Sequence, residues 1–397
     1  MKTIKQLLFL SFFIIIFAEQ IQFYFPLIKA DALCGSYNIP PKPLFTLDNW
    51  LGGNYQDSLM KNYEYDMSLH VPFVRLRNQI GYSLFDEVKA NGVEEGKNHH
   101  LYSIGHVYSL FGKDFIGEEK VIDRVTKLAF VQQELKKRNI DLLCLVAPTK
   151  PSIMPEYLPE KYDLSKIKKS NYDAYLEQFD KNKINYIDFK KYFLNLKPTT
   201  KHALFAKLGV HWSGYGATIA ADTLINYMQQ IRNIKMINHY QLSGTTTRIP
   251  RDTDHDMAVI MNLINEIPSD TLYYPNIVFV KDRTKTKPNV LIIGDSYVWS
   301  WIGFYPYFKN VFDSNSCYWY YNHDLAYTNG KIPANTQVSD FNINEETLHR
   351  DFIILVYNES TLVNFGNDFI EQMYDMFQKE NNSEKNRGNN QLLKTNK

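Results

Sequence analysis

Residues 288–297, Pro-Asn-Val-Leu-Ile-Ile-Gly-Asp-Ser-Tyr, constrain the fold more than any other part of the chain. The apolar run 290–293 does not alternate with polar residues, so it has no face to give to water. Bounded by Pro288 and Gly294, it predicts a strand buried on both sides, as in a parallel sheet. Parallel neighbours need crossover connections, usually helical, which implies an α/β architecture. Ser296 follows where this strand must turn, at the carboxyl end of the sheet, and open α/β sheets build their sites there. The aromatic segment 297–308 lacks strand alternation and predicts a helix. Its amino-terminal N–H groups and dipole would stabilise an oxyanion beside the Ser296 hydroxyl.

The rest of the chain repeats this grammar. Residues 140–147, 184–187, 316–321 and 351–357 read as further strands. Residues 117–137, 164–179, 215–231 and 362–377 read as helices, and 55–85 as mostly helical with polar faces. Strands alternating with helices at this spacing predict a parallel sheet covered on both sides. There is no internal repeat and no Gly-rich phosphate loop.

A serine hydroxyl is a poor nucleophile without a base. The best candidate is His211, in Leu208-Gly209-Val210-His211-Trp212-Ser213-Gly214, just ahead of a helical pattern. Residues 249–256, Ile-Pro-Arg-Asp-Thr-Asp-His-Asp, offer Asp254 and Asp256 as a third member, although aspartates also cap helix starts. Polar residues recur at other strand ends. Lys150 either binds an anionic group or closes a loop. Tyr320 and Tyr321 either line a sugar cleft or pack in the core. Asn358 and Glu359 either contact substrate or support the imidazole. A classical α/β-hydrolase is disfavoured, because it has Gly-x-Ser-x-Gly with the histidine last in the chain.

The His211-Trp212 and Gly294-Asp295-Ser296 motifs, in that order, resemble the alginate O-acetyltransferase group (AlgX/AlgJ-like) of the SGNH hydrolase superfamily. The resemblance extends to Leu51-Gly-Gly-Asn-Tyr-Gln56, Arg75, Pro148-Thr149-Lys150, Pro155-Glu-Tyr-Leu-Pro159, Tyr186-Ile-Asp188 and Asp351-Phe-Ile-Ile-Leu355. It implies an α/β, SGNH hydrolase-like three-layer sandwich with a mostly parallel central sheet and a circularly permuted motif order, over 51–377. It implies Ser296 as nucleophile, His211 as base, and a functional lysine at position 150. The implied activity is O-acetylation of an extracytoplasmic polysaccharide through an acetyl-serine, with no cofactor and with a membrane acyltransferase partner delivering the acetyl group. One position departs. The family places its acid two residues before the histidine, and here that residue is Gly209. Two other readings therefore stand beside it: a carbohydrate acetylesterase with the same residues, and a non-catalytic polysaccharide-binding or scaffold protein.

Formal net charge is +1, so no whole-chain field points to nucleic acid. Lys2 and Lys5 precede a long apolar stretch. Residues 1–32 thus read as a signal peptide cut after Ala32, or as a membrane anchor over 7–28. Either places the remainder outside the cytoplasm. Residues 33–50 read as a Pro-rich linker and 378–397 as a disordered polar tail. Three cysteines make no disulfide framework, although a Cys34–Cys317 bridge is conceivable, and Cys144 reads as core. The stretch holding His99, His100 and His106 lacks a carboxylate in fixed spacing, so it reads as a solvated loop rather than a metal site.

Overall fold

The computed structural model describes residues 2–35, 39–328 and 331–395. Its chain divides into two compact units. One comprises residues 1–93 and 257–267, the other residues 94–256 and 268–397.

The larger unit is built on a six-stranded sheet. The labelled strands are β1 (Asp141–Ala147), β2 (Tyr186–Asp188), β3 (His239–Thr247), β4 (Leu272–Phe279), β5 (Val290–Gly294), β6 (Cys317–Tyr320), β7 (Asp324–Tyr327) and β8 (Phe352–Asn358). The sheet order is β2-β1-β8-β5-β6-β7. Neighbours run parallel except β6 and β7. All five strands expected from the sequence lie in it.

Period-two geometry sorts the apolar runs between two cores. Leu143 and Leu145 of β1, Val290 and Ile292 of β5, and Ile354 and Val356 of β8 face one layer. There helix α3 (Gly214–Arg232) packs with Ala217, Ala220, Leu224 and Met228. Leu142, Leu291, Ile293, Ile353 and Leu355 face the other layer. It holds α1 (Glu118–Lys137), α2 (Asn171–Asn182) and the start of α4 (Phe369–Thr395). The result is the three-layer α/β sandwich expected above. Each Leu or Ile buried this way contributes about 1.5–3 kcal/mol.

Several local expectations are corrected. Residues 297–308 do not form one helix. A tight turn, Ser296–Val298, leads into a π turn, Ser300–Phe304, closed by the Tyr305 N–H on the Ser300 carbonyl at 2.9 Å. A separate short helix, Tyr307–Val311, follows Pro306, which has no N–H to continue the ladder. The pattern at 164–179 starts its α-helix only at Asn171, because Ser170 and Asp173 form a capping box there. Helix α4 runs on to Thr395 through the stretch read as disordered, since extending a packed helix costs far less than nucleating one. The antiparallel pair β3–β4 and the edge strand β7 had no buried alternating signal to announce them. His100 and His106 are buried rather than solvated. His100 stacks on Tyr157 at 3.8 Å, and His106 lies in the helix Ile104–Leu110. No His/Cys/Asp/Glu group able to hold a metal occurs among the described residues. All three cysteines are free, and Cys144 is buried.

In the smaller unit, helices Asn54–Asp66 and His70–Phe85 form within the segment read as helical. Asn78 donates to the Met261 carbonyl at 2.9 Å, and the Arg75 guanidinium donates to the Leu263 carbonyl at 3.3 Å. The amino-terminal helix, Lys2–Tyr24, exposes Leu7, Leu8, Phe9, Phe12 and Phe13. No single helix among the described residues is long and apolar enough to cross a membrane. Thr3–Ile14 and Phe17–Tyr24 pass that test only together, across a 48° bend.

Candidate active site

β5 delivers Ser296 to the carboxyl end of the sheet between β8 and β6. Gly294 has to be glycine here, because a Cβ would stand 2.1 Å from the Val356 carbonyl oxygen of β8. Asp295 then turns inward. Its buried carboxylate accepts from the Tyr297 N–H (3.0 Å), the Asn358 N–H (2.6 Å), the Asn358 side-chain amide (2.7 Å) and the Thr361 hydroxyl (2.7 Å). Burial raises the Asp295 pKa, and these donors offset part of that shift. This knot tips the next residue, Ser296, toward solvent, and Ser296 is partly exposed.

His211 arrives from the other side. Ser213 caps α3 by accepting from the Gly216 N–H at 3.0 Å, and it donates to the Ala203 carbonyl at 2.6 Å. The Trp212 indole donates to Ser300 Oγ at 2.7 Å, which ties the histidine loop to the turn after Ser296. Tyr297 Oη donates within reach of both the Pro148 carbonyl (3.0 Å) and the Val210 carbonyl (3.2 Å), and its ring lies 5.0 Å from the imidazole.

With this framing, His211 Nε2 lies 2.7 Å from Ser296 Oγ, and His211 Nδ1 lies 2.7 Å from Asp256 Oδ2. The second Asp256 oxygen accepts from the Val210 N–H at 2.9 Å. A carboxylate can only accept, so the Nδ1 atom carries the proton, and Nε2 is left with a lone pair facing the serine. The His211 side chain is 15% exposed and that of Asp256 26%, so the three groups form a line open to solvent.

Of the two candidate acids, Asp256 meets the imidazole. Asp254 instead is buried, accepts weakly from the Gly214 N–H (3.5 Å) and bonds the Tyr274 hydroxyl. Asp256 is also the first residue of a short helix, Asp256–Val259, so both readings of that motif describe the same residue. Gly209 explains the missing family acid. A Cβ there would stand 2.5 Å from the Thr253 carbonyl oxygen and 3.0 Å from the Asp254 backbone. The loop carrying Asp256 occupies the space that a residue-209 side chain would need.

Of the other candidates, Lys150 takes the loop-closing one of its two readings, while Asn358 and Glu359 meet neither the imidazole nor the open side of the site. Lys150 is fully buried, and its amine donates to the carbonyls of Leu101 (2.7 Å), Lys207 (2.6 Å) and Gly209 (3.2 Å). It pins the chain entering the His211 motif and has no access to a solvent-borne anion. Burial pushes the Lys150 amine down to about 7, opposed by Asp256, Asp270 and Asp254. Glu359 is buried against the Thr149 N–H (2.8 Å), the Ser152 hydroxyl and Lys190 (2.7 Å), not the imidazole. Asn358 is spent on Asp295. Tyr320 stays at the site's edge. It sits opposite Gly294 in register, with its ring 4.4 Å from Tyr321 and 6.0 Å from Trp299. Sequence reasoning missed Tyr297, whose two carbonyl contacts have no sequence signature.

Burial raises the Asp254 carboxyl to about 7. A carboxyl whose folded pKa exceeds its unfolded value stabilises the fold fully below about pH 4, and that contribution is lost as pH rises through about 7. Stability to urea should therefore fall between pH 5 and pH 8 by an amount on the order of 2–3 kcal/mol from this group. Asp254→Asn should flatten that slope. An unchanged slope would contradict the assignment.

Residues 96–316 match the family described as "SGNH hydrolase-like domain, acetyltransferase AlgX". No curated protein matches. Similar solved structures include the O-acetyltransferase domain of Pseudomonas putida AlgJ. It is 15% identical, with 72% of this chain and 99% of that one covered and a TM-score of 0.47. Pseudomonas aeruginosa AlgX is 16% identical, with 68% and 67% covered and a TM-score of 0.44. Bacillus cereus PatB1 is 13% identical, with 62% and 91% covered and a TM-score of 0.36. The family match spans more than half the chain and includes both His211 and Ser296, and the chain belongs to the SGNH hydrolase-like acetyltransferase AlgX family.

Proposed function

We propose that the protein is an O-acetyltransferase acting on an extracytoplasmic polysaccharide, with Ser296, His211 and Asp256 as its catalytic residues. The observation that carries this reading is the line Ser296 Oγ–His211 Nε2, His211 Nδ1–Asp256 Oδ2, with 2.7 Å at each link. As Ser296 Oγ attacks an acetyl carbonyl, its proton passes to Nε2. Asp256 holds the imidazolium that results. The oxyanion collects on the donor side of the turn, where the Ser296 N–H lies at the amino terminus of Ser296–Val298. The tetrahedral species collapses, the leaving group takes the proton from Nε2, and an acetyl-Ser296 ester remains. A sugar hydroxyl then gives its proton to Nε2 and attacks the acetyl carbonyl. Ser296 recovers the proton, and the sugar leaves as its acetyl ester.

The acetyl donor reaches the site through a membrane acyltransferase partner. The amino-terminal basic and apolar segment, read as a cleaved signal or an anchor, supports an enzyme working outside the cytoplasm. Trp299, Tyr320 and Tyr321 form a half-buried aromatic cluster next to the end of β5 and suit the apolar face of a sugar ring.

Transfer and hydrolysis share the acyl-enzyme and differ only in the acceptor. The purified protein is expected to cleave a chromogenic acetyl ester. With an oligosaccharide added, mass spectrometry should find acetylated sugar. Acetate as the sole product across a panel of acceptors would favour the esterase reading. Absence of both products would favour a scaffold.

A further inference from the structure

At the opposite end of β5, a groove of about 450 Å³ is lined by Ile237, Phe279 and Val280, by Asn310, by Lys281, Arg283, Lys285 and Lys287, and by one carboxylate, Asp282. Residues 281–287 hold four cations against one carboxylate, in a chain whose formal charge is only +1. That carboxylate, Asp282, is turned onto the Thr284 N–H (2.9 Å) and hydroxyl (2.7 Å). Among the described residues, none of the four cations has a carboxylate within ion-pair distance. The segment is held at both ends. The Val280 N–H donates to the Asn238 carbonyl at 2.8 Å, and the Thr286 N–H donates to the Lys235 carbonyl at 2.9 Å. A second basic hollow, at Lys113, Lys161, Lys166 and Lys168, differs. There Lys161 pairs with Glu94 at 2.8 Å and Lys166 with Asp163 at 3.6 Å.

We infer that the groove beside Lys281, Arg283, Lys285 and Lys287 binds a linear glycan carrying carboxylate or phosphate groups, at a site separate from the Ser296 centre. Like charges held together on a fixed backbone raise the local concentration of a polyanion and are not neutralised internally. The volume falls within the range of ligand sites. The apolar strip of Ile237, Phe279 and Val280 suits sugar-ring faces, and the Asn310 amide suits hydroxyls. A flat lipid headgroup surface would not use such a concavity. Lys287 lies three residues before β5 and Ser296 two residues after it, so the length of the strand, about 17 Å, separates groove from nucleophile. A long chain anchored here would keep its repeats near the catalytic turn. The inference rests on reading the enzyme as acting on a glycan.

The test measures binding of the full chain to polygalacturonate, to a polyglycerol phosphate, to neutral dextran and to phosphatidylglycerol vesicles. Wild type is expected to bind at least one of the two anionic polymers and not dextran, with affinity falling as salt rises. Combined Lys281→Ser, Arg283→Ser, Lys285→Ser and Lys287→Ser should weaken that binding at least about tenfold, the order expected for losing a few exposed charge contacts. Whichever polymer binds identifies carboxylate or phosphate as the ligand group. Matched Lys113→Ser, Lys161→Ser, Lys166→Ser and Lys168→Ser should bind as wild type. Ester cleavage at Ser296 should be unchanged in both variants. The inference is overturned if wild type binds neither polymer, if both variants lose binding equally, if vesicles bind more tightly than glycans, or if the groove variant loses ester cleavage. Intact groove binding with no acetylated sugar would instead count against the acetyltransferase reading alone.

Discussion

Ser296→Ala is expected to lower acetyl-ester turnover by about 10⁴–10⁶-fold, leaving only what binding and oxyanion donors supply. The size of the effect follows from the geometry. The hydroxyl faces Nε2 at 2.7 Å and stands at the carboxyl end of the central strand. Asp295, Asn358 and Thr361 hold the turn without help from the Ser296 side chain, so the fold should survive the substitution. His211→Ala should cost a similar factor, and the double substitution little more, because groups acting as one unit are not additive. Steady-state kinetics with a chromogenic ester would check this, and full additivity of the two losses would contradict it. Thermal unfolding of each variant separates lost chemistry from lost fold.

Asp256→Ala carries the second-largest effect, about 10³–10⁴-fold in kcat. Its carboxylate sets the imidazole tautomer through Nδ1 and ties the same loop to the Val210 N–H. Asp256→Asn tests the tautomer alone. An amide nitrogen turned toward Nδ1 would donate, driving the proton to Nε2 and removing the base. Asp254→Asn should cost far less activity, because Asp254 faces Gly214 and Tyr274 rather than the imidazole. Adding Gly209→Asp to Asp256→Ala should not restore activity, since position 209 lies against the Thr253 carbonyl with no room for a side chain. Equal losses from Asp254→Asn and Asp256→Asn, or rescue by Gly209→Asp, would contradict this assignment.

The fold was legible where burial is complete. β1, β5 and β8 are buried at every position, and uninterrupted apolar runs mark them. The pair β3–β4 was not legible, because β3 is largely exposed and owes its place to β4 rather than to its own pattern. At the site, Ser296 and His211 stood out as reactive types at element ends. The choice between Asp254 and Asp256 did not, because residues two apart in one loop differ only in which way the turn Asp252–His255 aims them. Lys150, Asn358 and Glu359 were ambiguous for a related reason. A polar residue at a strand's carboxyl end either faces the cleft or braces the turns beneath it. Their partners, three carbonyls, Asp295 and Thr149, come from distant segments.

Proton transfer from Ser296 to His211, with Asp256 holding the imidazolium, should produce an acyl-enzyme. Rapid quenching after mixing with an activated acetyl ester, followed by peptide mass mapping, tests it most directly. One acetyl group is expected on the Ser296 peptide, formed at least as fast as turnover in the wild-type protein and far more slowly in Asp256→Ala. Acetyl found on another residue, or undiminished labelling of Ser296 without Asp256, would contradict it.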